Sequence, residues 1–252
     1  MRFPSPATEK DPEAMFEYVE KLQARIATMV SQNEAGIRQA AHWFSEAIVH
    51  NKMIHMLGTG HSHMVGLEGF IRAGGLGNIN AVLDSTVTTA DGALRSSALE
   101  KLPGLAAILW EEQPIAPGDL MVVISNSGRN ALPIEWAQLA RARGHKVIAI
   151  TSVAQSAQNP SRHPSGQKLM ELADLVLDNC VPPGDGLCEV NDRVTGAFSS
   201  ISGMVLINTL VVEAQKLALA QGVTPLIFSS QNVDGFNNDD VYRHFQGRLK
   251  SM

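Results

Sequence analysis

Leu120-Met-Val-Val-Ile-Ser-Asn-Ser-Gly-Arg-Asn130 joins an unbroken apolar run to a polar turn, and its reading decides the fold. Leu120 to Ile124, with two β-branched valines, suits a strand buried on both faces of a parallel sheet. A helix is expected from Ala131 to Arg143, with Pro133 in its first turn. Between them Ser125, Asn126, Ser127, Gly128, Arg129 and Asn130 offer hydroxyls, amides, a glycine and unpaired backbone N–H groups at the positive end of the helix dipole. Such a turn suits a phosphate ester. It also suits an ordinary strand-to-helix connection with an N-cap serine.

Outward from this stretch, further strands are expected at 52–57, 79–83, 146–150 and 174–177, separated by helical segments. Strands alternating with helices imply a doubly wound parallel sheet, in which ligands bind beyond the carboxyl ends of the strands where the strand order reverses. The turns after the first, third and fourth strands can then converge. After the first strand comes Gly58-Thr-Gly-His-Ser-His63, whose glycine spacing does not match the dinucleotide fingerprint. Ser62 is placed there at a helix N-terminus between His61 and His63. After the fourth strand come Thr151 and Ser152.

The glycine-rich turn at 58–63 together with Ser125-Asn-Ser-Gly-Arg-Asn130 resembles the sugar isomerase (SIS) domain, the phosphosugar-binding module of ketol isomerases and related proteins. The runs 58–77 and 118–151, Pro182-Pro183-Gly184-Asp185 and the tail Phe228-Ser-Ser-Gln-Asn-Val-Asp-Gly235 are similar to a subfamily of single-domain SIS proteins. The resemblance implies one SIS domain over residues 1–252. Its α/β fold is a flavodoxin-like, doubly wound, five-stranded parallel sheet flanked by helices, with an N-terminal helical pair. It implies a small-molecule sugar phosphate as partner, held by Gly60, Ser62, Ser125, Asn126, Ser127, Gly128, Asn130, Thr151 and Ser152.

In several SIS enzymes the proton-abstracting glutamate lies ten residues after the loop serine; here that position is Arg72. Glu68, one helical turn earlier on a helix expected over 64–73, is the candidate base, and His61 or His63 the group that opens the ring or shuttles a proton. Glu68 and Arg72, four apart, also read as a solvated ion pair. The expected activity is an aldose–ketose sugar-phosphate isomerase. Alternatives are a non-catalytic phosphosugar sensor and an amino-sugar phosphate lyase or etherase.

Across 252 residues, hydrophobic types make up 44% and charged types 18%, which implies a well-buried core and further burial between subunits. A formal charge of −5 with no basic run argues against nucleic acid and against a membrane surface. The first residues lack an apolar stretch and no segment is expected to span a bilayer, so the protein is read as cytoplasmic, with Cys180 and Cys188 as free thiols. Asp11-Pro12-Glu13 reads as a helix start, followed by Met15, Val19, Leu22, Ile26 and Met29 on one stripe; a second helix from about Asn33 carries Ile37, Ala41, Phe44 and Ile48. This pair, within residues 1–50, has apolar surface to spare and is expected at the interface of a homodimer or homotetramer. Packing on its own sheet alone is the alternative.

The segment 154–168 reads either as a cover over the site supplying Arg162 or His163, or as a plain connection. A long apolar helix is expected from Thr195 to Ala220; by the resemblance it borders the site, making Thr195, Ser199 and Ser200 candidates for sugar hydroxyls. Asn232 and His244 in the tail are site candidates or parts of a capped closing helix. No metal and no cofactor is expected: beyond His61 and His63, the long helix offers only Glu213 as a ligand.

Overall fold

The computed structural model describes residues 16–252. Helices α1 (Glu17–Gln32) and α2 (Glu34–Val49) come first, so the proposed start at Asp11-Pro12-Glu13 and the first stripe residue Met15 lie outside the described residues. Asn33 between them docks the pair onto the sheet: its Nδ2 donates to the Asp178 carbonyl (2.8 Å) and its Oδ1 accepts from the Asp178 N–H (2.9 Å). On α1 only Met29 is buried, whereas on α2 Ile37, Ala40, Ala41, Phe44, Ser45 and Ala47 are.

Strands β1 (Ile54–Gly58), β2 (Ile79–Val82), β3 (Leu120–Ile124), β4 (Val147–Thr151) and β5 (Leu175–Asp178) form one parallel sheet in the order β2-β1-β3-β4-β5. Every residue of β1, β3 and β4 is buried, which is why these strands read as continuous apolar runs instead of alternating ones. Alternation survives as a choice of layer. Met56, Val122 and Ile148 face α2 and the long helix α9 (Ser199–Ala220); Leu57, Val123 and Ala149 face α5 (Leu105–Glu111) and α6 (Ala131–Ala142), where Trp110 and Trp136 lie 4.9 Å apart. Each such Val, Leu or Ile contributes about 1.5–3 kcal/mol by burial. Past the β2 edge, Phe228, Val241, Phe245 and Leu249 of the tail, with α10 (Asp239–Phe245), pack on Met53, Phe70 and Ala81.

Several expectations are corrected. Helix α3 (His63–Gly69) stops four residues early: Phe70 is extended and Ile71 has φ 40°, so Arg72 lies beyond the helix. A helix α4 (Ala93–Leu99) was not expected, nor were the short α7 (Val153–Ala157) and α8 (Leu169–Leu172). Thr195 does not begin the long helix. It belongs to an antiparallel hairpin, β6 (Gly186–Val190) and β7 (Arg193–Ala197), turned by Asn191 and Asp192, both at positive φ. That hairpin packs on α1: the Tyr18 hydroxyl donates to the Ala197 carbonyl (2.7 Å). Finally, α9 with its 22 residues is long and apolar enough to cross a membrane by length and composition, against the expectation that no segment is. Its Leu206, Ile207, Leu210, Val211 and Ala214 are packed in the core against α2 and the sheet.

Candidate functional site at the strand-order reversal

In the order β2-β1-β3-β4-β5 the winding direction reverses between β1 and β3, so a crevice opens where Gly58 and Ile124 end their strands. The two turns first singled out meet there. At the first, a Cβ on Gly58 would lie 2.3 Å from the Ser62 carbonyl oxygen, so only glycine lets the chain fold back into the 3₁₀ turn Gly60–Ser62. The Gly60 N–H donates to the Val87 carbonyl (2.8 Å). Ser62 makes no capping bond to α3, His61 is exposed, and Nδ1 of His63 turns back onto the Gly60 carbonyl.

The turn after β3 is held from behind. Gly128, at φ 58°, approaches Thr151 so closely that a Cβ would stand 3.1 Å from its hydroxyl. The Asn126 carbonyl accepts from the Ser152 N–H (3.0 Å) and from Thr151 Oγ1 (3.3 Å), and its side chain is clasped by Gln155 and Asn179. Ser125 Oγ accepts from the Gly128 N–H (3.2 Å). Thr151 and Ser152 are fully buried, and Ser152 Oγ donates to the Val181 carbonyl (2.6 Å). Asn126, Thr151 and Ser152 therefore build the wall of the turn. What stays open is the front: among the described residues the N–H groups of Ser127, Arg129 and Asn130 and the Ser127 hydroxyl have no hydrogen-bond partner in the protein. They lie at the start of α6, whose N-cap Asn130 caps nothing with its side chain.

Glu100, which the sequence did not single out, joins the two turns. It follows α4, itself unexpected. Its Oε2 accepts from Thr59 Oγ1 (2.6 Å) and its Oε1 from Asn130 Nδ2 (2.8 Å), and its carbonyl takes the Leu132 N–H (3.0 Å). On the other end of the same amide, Arg162 Nη1 donates to Asn130 Oδ1 (3.0 Å). The 158–168 segment is strapped over the turn by the Arg162 N–H to the Arg129 carbonyl (2.8 Å) and the Leu169 N–H to the Gly128 carbonyl (2.9 Å). Of its two expected contributors Arg162 reaches the crevice, while His163 pairs with Glu135 of α6 (3.3 Å). Arg129 is held below the ordinary guanidinium range by burial and then by the nearby charge of Arg162.

Glu68 sits on α3 with its side chain 19% exposed, ion-paired to Arg72, and one of its oxygens accepts from Asn208 Nδ2 of α9 (2.7 Å). The ion pair read from the spacing is therefore formed. Helices α3 and α9 run side by side, with Gly203 against Val65 and Asn208 against Glu68, which brings the start of α9 toward the first turn. Ser199 there is engaged, its N–H and hydroxyl both bound to Asp185 (2.7 Å each). In the tail, Nε2 of His244 bonds Asn51 (2.9 Å), well away from the crevice on the tail's own packing face, and Glu213 is bound to Lys216 (2.7 Å).

A proton-donor-rich turn at the strand-order reversal of a 2-1-3-4-5 sheet agrees with a match to the SIS domain model over residues 17–152, more than half the chain, and the chain belongs to the SIS domain family. Within it, the chain is 39% identical over 226 residues to a UPF0309 protein of Halalkalibacterium halodurans, covering 88% of this chain and 93% of that one. Two solved structures share the fold at low identity. Phosphoheptose isomerase of Neisseria gonorrhoeae has a TM-score of 0.52 at 17% identity, and that of Francisella tularensis 0.51 at 15%, each over 79% of this chain and 95% of the other.

Proposed function

We propose that the protein binds a sugar phosphate in the crevice between β1 and β3 and interconverts its aldose and ketose forms. The observation that carries this reading is the uncommitted donor set of the β3–α6 turn beside a carboxylate that spans the crevice. The phosphate takes the free N–H groups and the hydroxyls of Ser127 and Ser62, and the sugar chain runs toward Thr59 and Glu100. Isomerisation requires a base to remove the proton next to the carbonyl and return it to the neighbouring carbon, with the electron pair passing through an enediolate. Two carboxylates compete for that role. Both accept two side-chain partners, but Glu68 is ion-paired to Arg72, whereas the partners of Glu100, Thr59 and Asn130, are neutral. Glu100 is held between the two ligand turns and is the better placed. His61, exposed on the first turn, is the candidate for ring opening, while His63 positions the turn through Gly60.

Binding without conversion is the second reading, favoured by the Glu68–Arg72 ion pair. Proton NMR of pooled sugar phosphates in deuterated water separates the two. Loss of the signal next to the carbonyl, abolished by Glu100→Gln with binding retained, is the expected result; line broadening without exchange would leave a sensor. Exchange abolished by Glu68→Gln and untouched by Glu100→Gln would return the base to α3.

The same proposal takes the chain, residues 1–252, as a single domain acting as a homodimer or homotetramer, without nucleic acid or membrane. It rests on the apolar side of α1, left half-exposed beside α2 and α9 around Ala27, Val30, Ile37 and Leu217. Sedimentation of the intact protein and of Val30→Glu tests it: a monomer in both would remove the interface.

A further inference from the structure

Resting on the phosphosugar reading, the charge pattern goes further, to the ionic state of the anion. Arg129 and Arg162 face each other on one rung of the strap over the β3–α6 turn, the Arg162 N–H bonded to the Arg129 carbonyl (2.8 Å). Neither has a carboxylate within ion-pair distance among the described residues. Of three buried side-chain polar atoms lacking any partner among the described residues, two are here: Arg129 Nε and Ser156 Oγ. Ser156 is fully buried and lies directly behind Gly128, where Lys168 Nζ also reaches the Ser156 carbonyl. Arg162 is exposed and Arg129 half-buried, and two like charges held side by side, one with an orphaned buried Nε and with Ser156 Oγ orphaned behind them, are an arrangement that folding alone does not reward.

We infer that Arg129 and Arg162 form a charge-matched subsite that selects the dianionic form of a phosphomonoester over singly charged anions such as a sulfonate or sulfate ester. Two guanidinium charges and the partial positive end of α6 balance the charge of about −1.5 to −2 that a phosphomonoester carries at pH 7. A monoanion leaves one guanidinium uncompensated next to the other. A second acidic group on the ligand would instead meet Glu100, whose carboxylate already occupies the far side of Asn130. Arg162 serves both ends: it donates to Asn130, and through that amide it is linked to the carboxylate proposed as base.

The consequence is a pH dependence whose sign is diagnostic. Affinity falls as the ester takes up its second proton, near pH 6. The titratable and charged groups of the elements packed around the subsite are His61 and His63 of the first turn, Glu100 after α4, the paired His163 and Glu135 beside α6, and Lys168, which is turned behind Gly128 onto the Ser156 carbonyl. Histidine or carboxylate protonation adds positive charge as pH falls and strengthens anion binding, the opposite trend.

Methyl phosphate and methyl sulfate, a minimal phosphomonoester and its permanent monoanion, are titrated into the full-length protein at pH 7.5 and pH 5, followed by amide NMR. Expected are at least tenfold tighter binding of methyl phosphate at pH 7.5, loss of that advantage at pH 5, at least tenfold weakening in Arg162→Gln or Arg129→Gln, and recovery of most of it in Arg162→Lys. Equal affinity for the two probes at pH 7.5, or glutamine variants that bind methyl phosphate as the parent does, overturns the subsite. If neither probe binds while a sugar-phosphate panel does, the subsite is refuted and the phosphosugar reading stands; if the panel is silent too, both fall.

Discussion

At the amino ends of the central strands, His55 and Asp119 are completely buried, and their polar atoms are accounted for within the protein. Asp119 Oδ1 accepts from the Met53 N–H (2.9 Å), and Oδ2 from the Ala116 N–H (2.8 Å) and His55 Nε2 (3.0 Å). Asn80 Nδ2 donates to His55 Nδ1 (3.1 Å) and to Gln113 (3.2 Å), while its Oδ1 takes the Lys250 N–H (3.1 Å). That pattern puts the imidazole proton on Nε2, facing Asp119. At the carboxyl ends of the same strands, serines, amides and two arginines are just as closely gathered, and there the donors are left over. A buried polar group without a partner costs about 1–3 kcal/mol, so the closed network holds the sheet together, while the donors of the open one face the crevice.

Breaking the closed end has the largest effect. Asp119→Ala strands His55 and two backbone N–H groups in the core and is expected to cost about 3–5 kcal/mol in urea unfolding, a loss below about 1 kcal/mol being inconsistent with that network. At the open end the loss falls on binding instead. If the proposed phosphate site is right, Ser127→Ala is expected to weaken sugar-phosphate binding by about 1.5–3 kcal/mol in calorimetry, with stability within about 0.5 kcal/mol of the parent. Gly128→Ala sharpens the contrast, because it forces a side chain into left-handed backbone against Thr151. It should cost about 1–2 kcal/mol of stability together with lost binding.

The smallest effect is acid sensitivity. Burial pushes the Asp119 carboxyl up, but hydrogen bonds from His55, Ala116 and Met53 outweigh it and hold the group below the usual carboxylate range. A depressed folded-state value adds stability that is complete above the unfolded carboxylate pKa near 3.9 and is lost as pH falls through the folded value. Stability measured from pH 5 downward should therefore fall below about pH 4 more steeply in the parent than in Asp119→Asn. Parallel curves would assign the acid limb to other carboxylates.

Local chemistry made the sheet legible. Leu120–Ile124 begins and ends as expected because a strand covered on both faces is apolar at every position. The hairpin β6–β7 leaves no apolar pattern in the sequence because all of its residues outside Cys188 are exposed or half-exposed, and it packs on α1. Helix α4 is silent in the sequence for a similar reason: of its residues only Ser96 is buried, so no apolar stripe marks it.

For the site the division is sharper. Ser62, Ser127, Gly58 and Gly128 follow directly from the sequence, since a strand entering a helix must turn, and turns of this kind need glycine and leave N–H groups unpaired. Arg162 is legible as one of two candidates on a segment that reads equally as a plain connection, and Glu100 is not legible at all; each lies about thirty residues from Asn130 along the chain, on either side, and meets it because parallel strands return to the same edge. The strands of the parallel sheet and the turns that offer donors can be read along the chain, because those are contests between a residue and its near neighbours. Which charges face those donors was decided by tertiary structure alone, through the strand order that brings three distant segments together on one amide.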